Sequence, residues 1–454
     1  MTTETKDSGV KWIGTVPADW EINKIKYIAV LKGCIGWQGL TSEEYTDEGA
    51  YLITGVDFEN GNINWDSCVH VPMHRWEEAR DIQIENGDLL ITKDGTIGKV
   101  AIVSGCTSPT SLNSGVLRVS TIDGYDRRFL YWVLQSDVFW TWFADCNIGN
   151  STIQHLYQGD FAEFKYAIPS IDEQRAIADY LETECAKADS IVADIEHQIE
   201  VLRNHRMSLV TEAVTKGLDP SVPMKESGID WIGAIPADWK ISRIKYLIDS
   251  SHPYPIGDGD HGITKADDYL TEGIPYIRVL NLTWGQGLNL ENMVYISADM
   301  NEKIRNSTLK PGDLLIAKTG ATIGKTAMVP EWMPISNTTS HVGKISMPET
   351  QDAEYYYHVL NSAVIQKQIE DISSMQSTRP ELGIEGLKNL VVTVPPLAVQ
   401  QRIAAYLTER CSSINGVIDV KNKQLEMMND YKKSLIYEYV TGRKRVKEVT
   451  SHAD

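Results

Sequence analysis

A chain of 454 residues is longer than one hydrophobic core usually serves, so at least two globular domains are expected. Its 42% hydrophobic and 23% charged residues are those of an ordinary folded soluble protein, with no apolar run of membrane-spanning length and no apolar signal core at the start, which points to the cytoplasm and to no membrane. Six scattered cysteines without a CxxC or Cys/His cluster argue against disulfide scaffolding and metal sites, and a formal charge of −19 opposes nucleic-acid binding unless the Lys and Arg side chains gather on one concave face.

In chain order, the block SGVKWIGTVPADWEINKIKY opens at Ser8. Short runs rich in Val, Ile and Tyr then predict strands at 51–56, 89–92, 100–103 and 116–119. Residues 128–142 carry a helical apolar pattern in Phe129, Trp132, Val133, Val138 and Trp142, and a Pro-bounded strand at 164–169 closes the first domain. From 172 to 215 the apolar positions step by four and three through Leu181, Cys185, Ala188, Val192, Ile195, Ile199, Leu202, Arg206, Leu209 and Ala213. A seven-residue period without Pro or Gly predicts a long helix, on the order of 65 Å, wound against a partner helix. Lys216 and Gly217 end it, and a polar linker with Pro220 and Pro223 follows.

The second half repeats the first. SGIDWIGAIPADWKISRIKY begins at Ser227, GDLLI at Gly87 returns at Gly312, and TIGK at Thr96 returns at Thr322. A second seam runs through Leu407, Cys411, Ile414, Ile418, Lys421, Leu425, Met428, Lys432, Leu435 and Tyr439, each 226 residues after its counterpart, so the partner helix lies in the same chain. The first block has no long helix before it. An antiparallel pair of helices would bring the end of the second back near Ser8 and close the arrangement with pseudo-two-fold symmetry. The expected fold is α+β: two mixed α/β domains separated by two long antiparallel coiled-coil helices. Its parts are a domain at 1–170, a helix at 171–216, a linker at 217–230, a domain at 231–396, a helix at 397–442 and a basic, disordered or partner-docking tail at 443–454.

Between the shared blocks, residues 33–86 and 257–311 diverge, as expected of equivalent surfaces turned to different targets. Gly320-Ala-Thr-Ile-Gly324-Lys325-Thr326 has one residue too few between its glycines for a phosphate-binding loop, and the first copy, Gly95 to Lys99, is shorter still. It reads as a tight turn between strands, or as a turn whose N–H groups and lysine meet DNA phosphate. Asp238-Trp-Lys240 is matched by Asp19-Trp-Glu21, so packing of Trp12, Trp20, Trp231 and Trp239 explains it better than nuclease chemistry does. Residues 151–155 and 377–380 bring hydroxyl, amide and guanidinium groups of the kinds that bind phosphates and base edges. Asp258-Gly-Asp260-His261 has too few carboxylates for calcium and a lone His for zinc, which leaves a polar recognition loop. No methyl-transfer, dinucleotide, zinc-protease or serine-hydrolase motif is present, so no catalytic residue is expected.

The doubled WIGxxPxxW block, GDLLI followed by TIGK, and the Pro-bounded strand leading into Glu173-Gln174-Arg175 and Gln400-Gln401-Arg402 together resemble the specificity subunit of type I restriction-modification enzymes over nearly the whole chain. The resemblance implies two target-recognition domains that each read one half of an asymmetric bipartite duplex DNA site, with the helices as a spacer. It also implies two modification subunits that methylate adenine, further restriction and translocase subunits, and S-adenosylmethionine, ATP and Mg held by those partners and not by this chain. Carried onto this sequence, it makes Lys93, Lys99, Lys318, Lys325, Thr152, Thr378 and Arg379 phosphate contacts; Gln154 joins the DNA-binding candidates, and Gln38, His261 and Arg278 are candidate base readers. Lys421 and Lys432 interrupt the second seam, as expected of side chains that reach solvent or a modification subunit. The competing expectation is a coiled-coil scaffold that does not itself read DNA.

Overall fold

The structure, a computed structural model, describes residues 4–33, 42–147, 154–374 and 380–446. Its two compact units are residues 1–194 with 424–454, and residues 195–423. The first long helix, Ile171–Lys216, and the second, Leu397–Val440, each contribute to both units.

In the first unit a four-stranded antiparallel sheet has the order Val100–Ile102, Leu89–Thr92, Val116–Thr121, Ala29–Gly33. Beside it Ala50–Ile53 pairs parallel with Thr110–Leu112 and antiparallel with Val69–Val71. The second unit repeats this plan with Thr326–Met328, Leu314–Ala317, Val342–Ile345 and Ile256–Asp258 in one sheet, and Ile274–Ile277 between Val294–Ile296 and Asn337–Thr338 in the other. The expected strands are present within a residue or two, apart from the run at 51–56, which begins at Ala50 and ends at Ile53.

The helical pattern at 128–142 is two helices, Arg127–Gln135 and Asp137–Cys146. Ser136 breaks it by donating its hydroxyl to the Val133 carbonyl at 2.6 Å and accepting from the Val138 N–H. Ser362 does the same to Val359 at 2.6 Å between Ala353–Leu360 and Ala363–Ser374.

Each long helix is locked to its domain by the glutamine of the motif at its start. The buried Gln174 side chain donates to the Pro169 carbonyl (2.9 Å) and accepts from the Asp126 N–H (2.8 Å); Gln400 does the same with Pro395 and Asp352, both at 2.9 Å. In the first unit the Tyr180 ring meets Tyr439 and Asp189 meets Lys432, so the helices run antiparallel there. In the second, Arg206 meets Asn415 while Gly217 lies with Arg402 and Ile403, the same sense. Along the seam Leu181, Ile195, Ile199, Leu407 and Ile418 are buried, and Val192, Leu202, Ile414, Leu425 and Met428 half-buried. Lys432 is half-buried, and its ammonium pairs with Asp189 at 2.6 Å.

The segment expected as a plain linker carries a strand, Met224–Glu226, paired with Ala234–Pro236, because the Pro223 carbonyl also accepts the Ala237 N–H and fixes the crossing. The start of the basic tail is likewise held. Arg445 pairs with Asp19 and Glu173, and Arg443 lies over the Tyr437 ring at 4.7 Å. Gly442 turns at φ +70 against Pro17 and Trp20, as Gly217 does at φ +79 against Trp239. Each WIGxxPxxW block is therefore the seat on which a long helix ends.

His358 is buried beside Thr408, its Nε2 3.0 Å from the hydroxyl, and loss of water pushes its pKa down to about 4. Between about pH 6.5 and 4 the unfolded chain binds a proton that the folded chain refuses, so stability should fall as pH drops through that window, by up to about 3 kcal/mol. Urea unfolding at pH 7 and 4.5 checks this; His358→Leu should flatten the difference.

Candidate nucleic-acid interface

In both units three segments meet at the lysine that follows the GDLLI strand. In the first, the Lys93 N–H donates to the Gly115 carbonyl (2.8 Å) and its own carbonyl accepts from Leu156 (3.0 Å). In the second, Lys318 N–H donates to His341 (2.9 Å) and its carbonyl accepts from Leu382 (2.8 Å). The neighbouring residue adds a polar contact in each: Asp94 to His155 Nδ1 at 2.6 Å, and Thr319 Oγ1 to His341 Nδ1 at 3.1 Å. One plan therefore presents two different sets of side chains.

The two lysines differ in surroundings. Lys93 is half-buried and has no carboxylate partner among the described residues. The Lys318 side chain is only 3% exposed and its ammonium is paired with Asp258. The other Asp258 oxygen lies 3.2 Å from Nε2 of His261, whose side chain is 76% exposed. A group so enclosed cannot meet a phosphate in this conformation; its charge instead holds Asp258 under the imidazole. The loop around it is pinned as well. The Gly259 N–H donates to Thr339 at 3.1 Å, any Cβ there would collide with the Thr338 and Thr339 backbone, and Asp260 accepts from Tyr276 and from the Thr264 N–H.

The TIGK segment is a turn between antiparallel strands, closed by Gly98 N–H to the Thr92 carbonyl (2.9 Å) and Gly324 N–H to Ala317 (3.0 Å). Gly98 and Gly324 sit at positive φ, Gly98 against the Trp140 ring with no room for a side chain and Gly324 against the end of the Gln366 side chain. Lys99 Nζ donates to the Phe58 carbonyl at 3.3 Å, whereas Lys325 is half-buried with no carboxylate partner among the described residues. Arg278 donates to the Asn292 carbonyl at 2.5 Å and lies 5.5 Å from the Tyr269 ring centroid. Gln154 is exposed next to His155. Gln38, Thr152, Thr378 and Arg379 lie outside the described residues.

Asp94, Thr319 and His341 were not singled out from the sequence, and Asp258 entered only as part of a polar loop. The signal available for Asp94 and Thr319 was their place beside the repeated lysine, once the unequal turns, one residue longer in the second copy, are allowed for.

Two facts bear on chemistry. Among the described residues no group of three or more His, Cys, Asp or Glu side chains is placed to hold a metal, and no helix is long and apolar enough to cross a membrane. Residues 17–201 and 236–438 match the family described as type I restriction modification DNA specificity domain, once for each copy of the repeat. The chain belongs to that family. Specificity subunits serve sequence recognition of DNA and are non-catalytic by family. The chain is similar to the EcoBI specificity subunit of Escherichia coli, with 25% identity over 87% of this chain and 80% of that protein. The MjaVIII specificity subunit of Methanocaldococcus jannaschii is 24% identical over 96% of this chain and 95% of that one. A solved structure titled for complex assembly and conformational transition of the type I R-M system shares the fold, with a TM-score of 0.65 and 14% identity over 94% of this chain and 99% of that one.

Proposed function

We propose that this specificity subunit reads a bipartite, asymmetric site in duplex DNA, one half with each recognition domain, and scaffolds two modification subunits and the restriction and translocase subunits. The observation that carries the reading is the pair of lysine-centred sites: the same three backbone segments in each domain, dressed with different polar groups. A reader of two unlike half-sites needs that combination of fixed frame and exchanged side chains. Lys93 and Lys325 are the phosphate contacts with free charge, while Gln154 and His261 face outward as base readers. Adenine methylation and cleavage belong to the partners, with their S-adenosylmethionine, ATP and Mg2+.

Exposed apolar residues recur at matching points of the two helices: Ile191 and Val417 at 46% and 45%, Val201 and Met427 at 51% and 70%. Equivalent exposed positions on a duplicated scaffold suit two copies of one partner. The chain should work in the cell compartment that holds the DNA.

Mapping methylated adenines in a host that carries the whole system tests the proposal. The expected result is a two-part motif, and His261→Ala should relax one base position of one half, by about 1–3 kcal/mol of discrimination, while leaving the other half unchanged. A scaffold that leaves reading to its partners would give the same motif with and without His261 and with the loop 258–264 replaced.

A further inference from the structure

In the second unit a cleft of about 730 Å³ lies between the two long helices and the loop 283–289 of the recognition domain. Arg206 stands at its floor. The guanidinium is bonded to the Asn415 side chain, donates to the Trp284 carbonyl at 2.6 Å and to the Gly285 carbonyl at 3.4 Å, and has no carboxylate partner among the described residues. Asn415 Nδ2 adds a bond to the same Gly285 carbonyl at 3.1 Å, and Gln286 Nε2 reaches Asp419 at 3.4 Å. Gly285, at φ +69, lies so close that a Cβ would be 3.0 Å from the guanidinium carbon.

The duplicated position tells what this arrangement is for. Arg206 corresponds to Lys432 and Asn415 to Asp189, each 226 residues apart. In the first unit that pair is a plain ion pair, with Lys432 on both Asp189 oxygens at 2.6 and 2.8 Å. Joining the helices therefore requires only a lysine and an aspartate. An arginine facing an amide leaves donors over in a planar fork, and these go to the backbone of the loop.

We infer that Arg206 is a positioning residue: through the Trp284 and Gly285 carbonyls it fixes the second recognition domain on its own stretch of the paired helices and so sets how that domain meets its half-site. The inference rests on the two-half reading proposed above. Losing the fork should blur one half-site and spare the other.

The test is R206K/N415D, which installs the first unit's ion pair in the second, with R206K alone beside it, each in the complete complex with its methyltransferase partner. Melting of R206K/N415D is expected to stay within about 4 °C of wild type, the shift from roughly 1 kcal/mol. The methylated-adenine map should lose about tenfold in base preference in the half read by the second domain, with the first half unchanged. Unaltered preference in both halves, or an equal loss in both, overturns the inference. A wild-type map without a two-part motif overturns the proposed function and this inference together, whereas an unchanged map for the variants removes only the inference.

Discussion

Lys318→Met is expected to cost about 3–5 kcal/mol of folding stability, the usual consequence of leaving a buried charge without its partner. Lys93→Met, at the same point of the repeat, should stay within about 0.5 kcal/mol of wild type. The difference follows from surroundings. Lys318 is enclosed and faces Asp258, so its loss strands a carboxylate whose side chain is 14% exposed, whereas Lys93 is half in water with no such dependent. Lys318→Met with Asp258→Asn should recover most of the loss, since removing both charges also removes the desolvation cost. On DNA the order reverses: Lys93→Met should lower the salt slope of duplex binding by about 1, and Lys318→Met should alter base preference next to His261. Denaturant unfolding and duplex retention across a salt series measure the two effects. Equal stability for the two single variants would mean that the Lys318–Asp258 pair is not formed in solution.

Trp20→Ala is expected to remove about 3–5 kcal/mol from the first unit. The indole is fully buried, edge-on to Phe129, and its Nε1 donates to Glu173 at 3.2 Å. Glu173 is itself pushed up in pKa by burial and leans on Arg445, so the cavity would reach the end of the second long helix. Trypsin should then cut at Arg443 to Arg445 many times faster than in wild type. Trp239→Ala should cost a similar amount but open Lys216 instead, because Gly217 is the residue seated on that ring. Cleavage at both places in either variant would show that the seats are not separate.

How much of this was legible beforehand depended on the length of the signal. The long helices carry ten seam positions each, and a period kept that long leaves no alternative. The repeat located both domains for the same reason. The break at Ser136 was invisible, since a serine inside an apolar helical pattern reads as a solvent-facing residue until its hydroxyl is seen to take the Val133 carbonyl. The site was half legible. The repeated lysines marked it, but the sequence cannot tell a lysine that meets solvent from one paired under a loop, because Asp258 lies 60 residues away and reaches Lys318 only through the sheet pairing of 256–258 with 343–345. Lys432 was unreadable for the same reason, its partner Asp189 being 243 residues away.

The first unit draws on both ends of the chain, residues 1–194 and 424–454. On the ribosome, at about 5–20 residues per second, its opening portion must wait roughly 10–50 s for the helix that completes it, while the second unit is already whole once residue 423 has emerged. Translation thus finishes the domain it began last before the domain it began first, and a premature stop near the end would release a chain with one finished half and one that never closes.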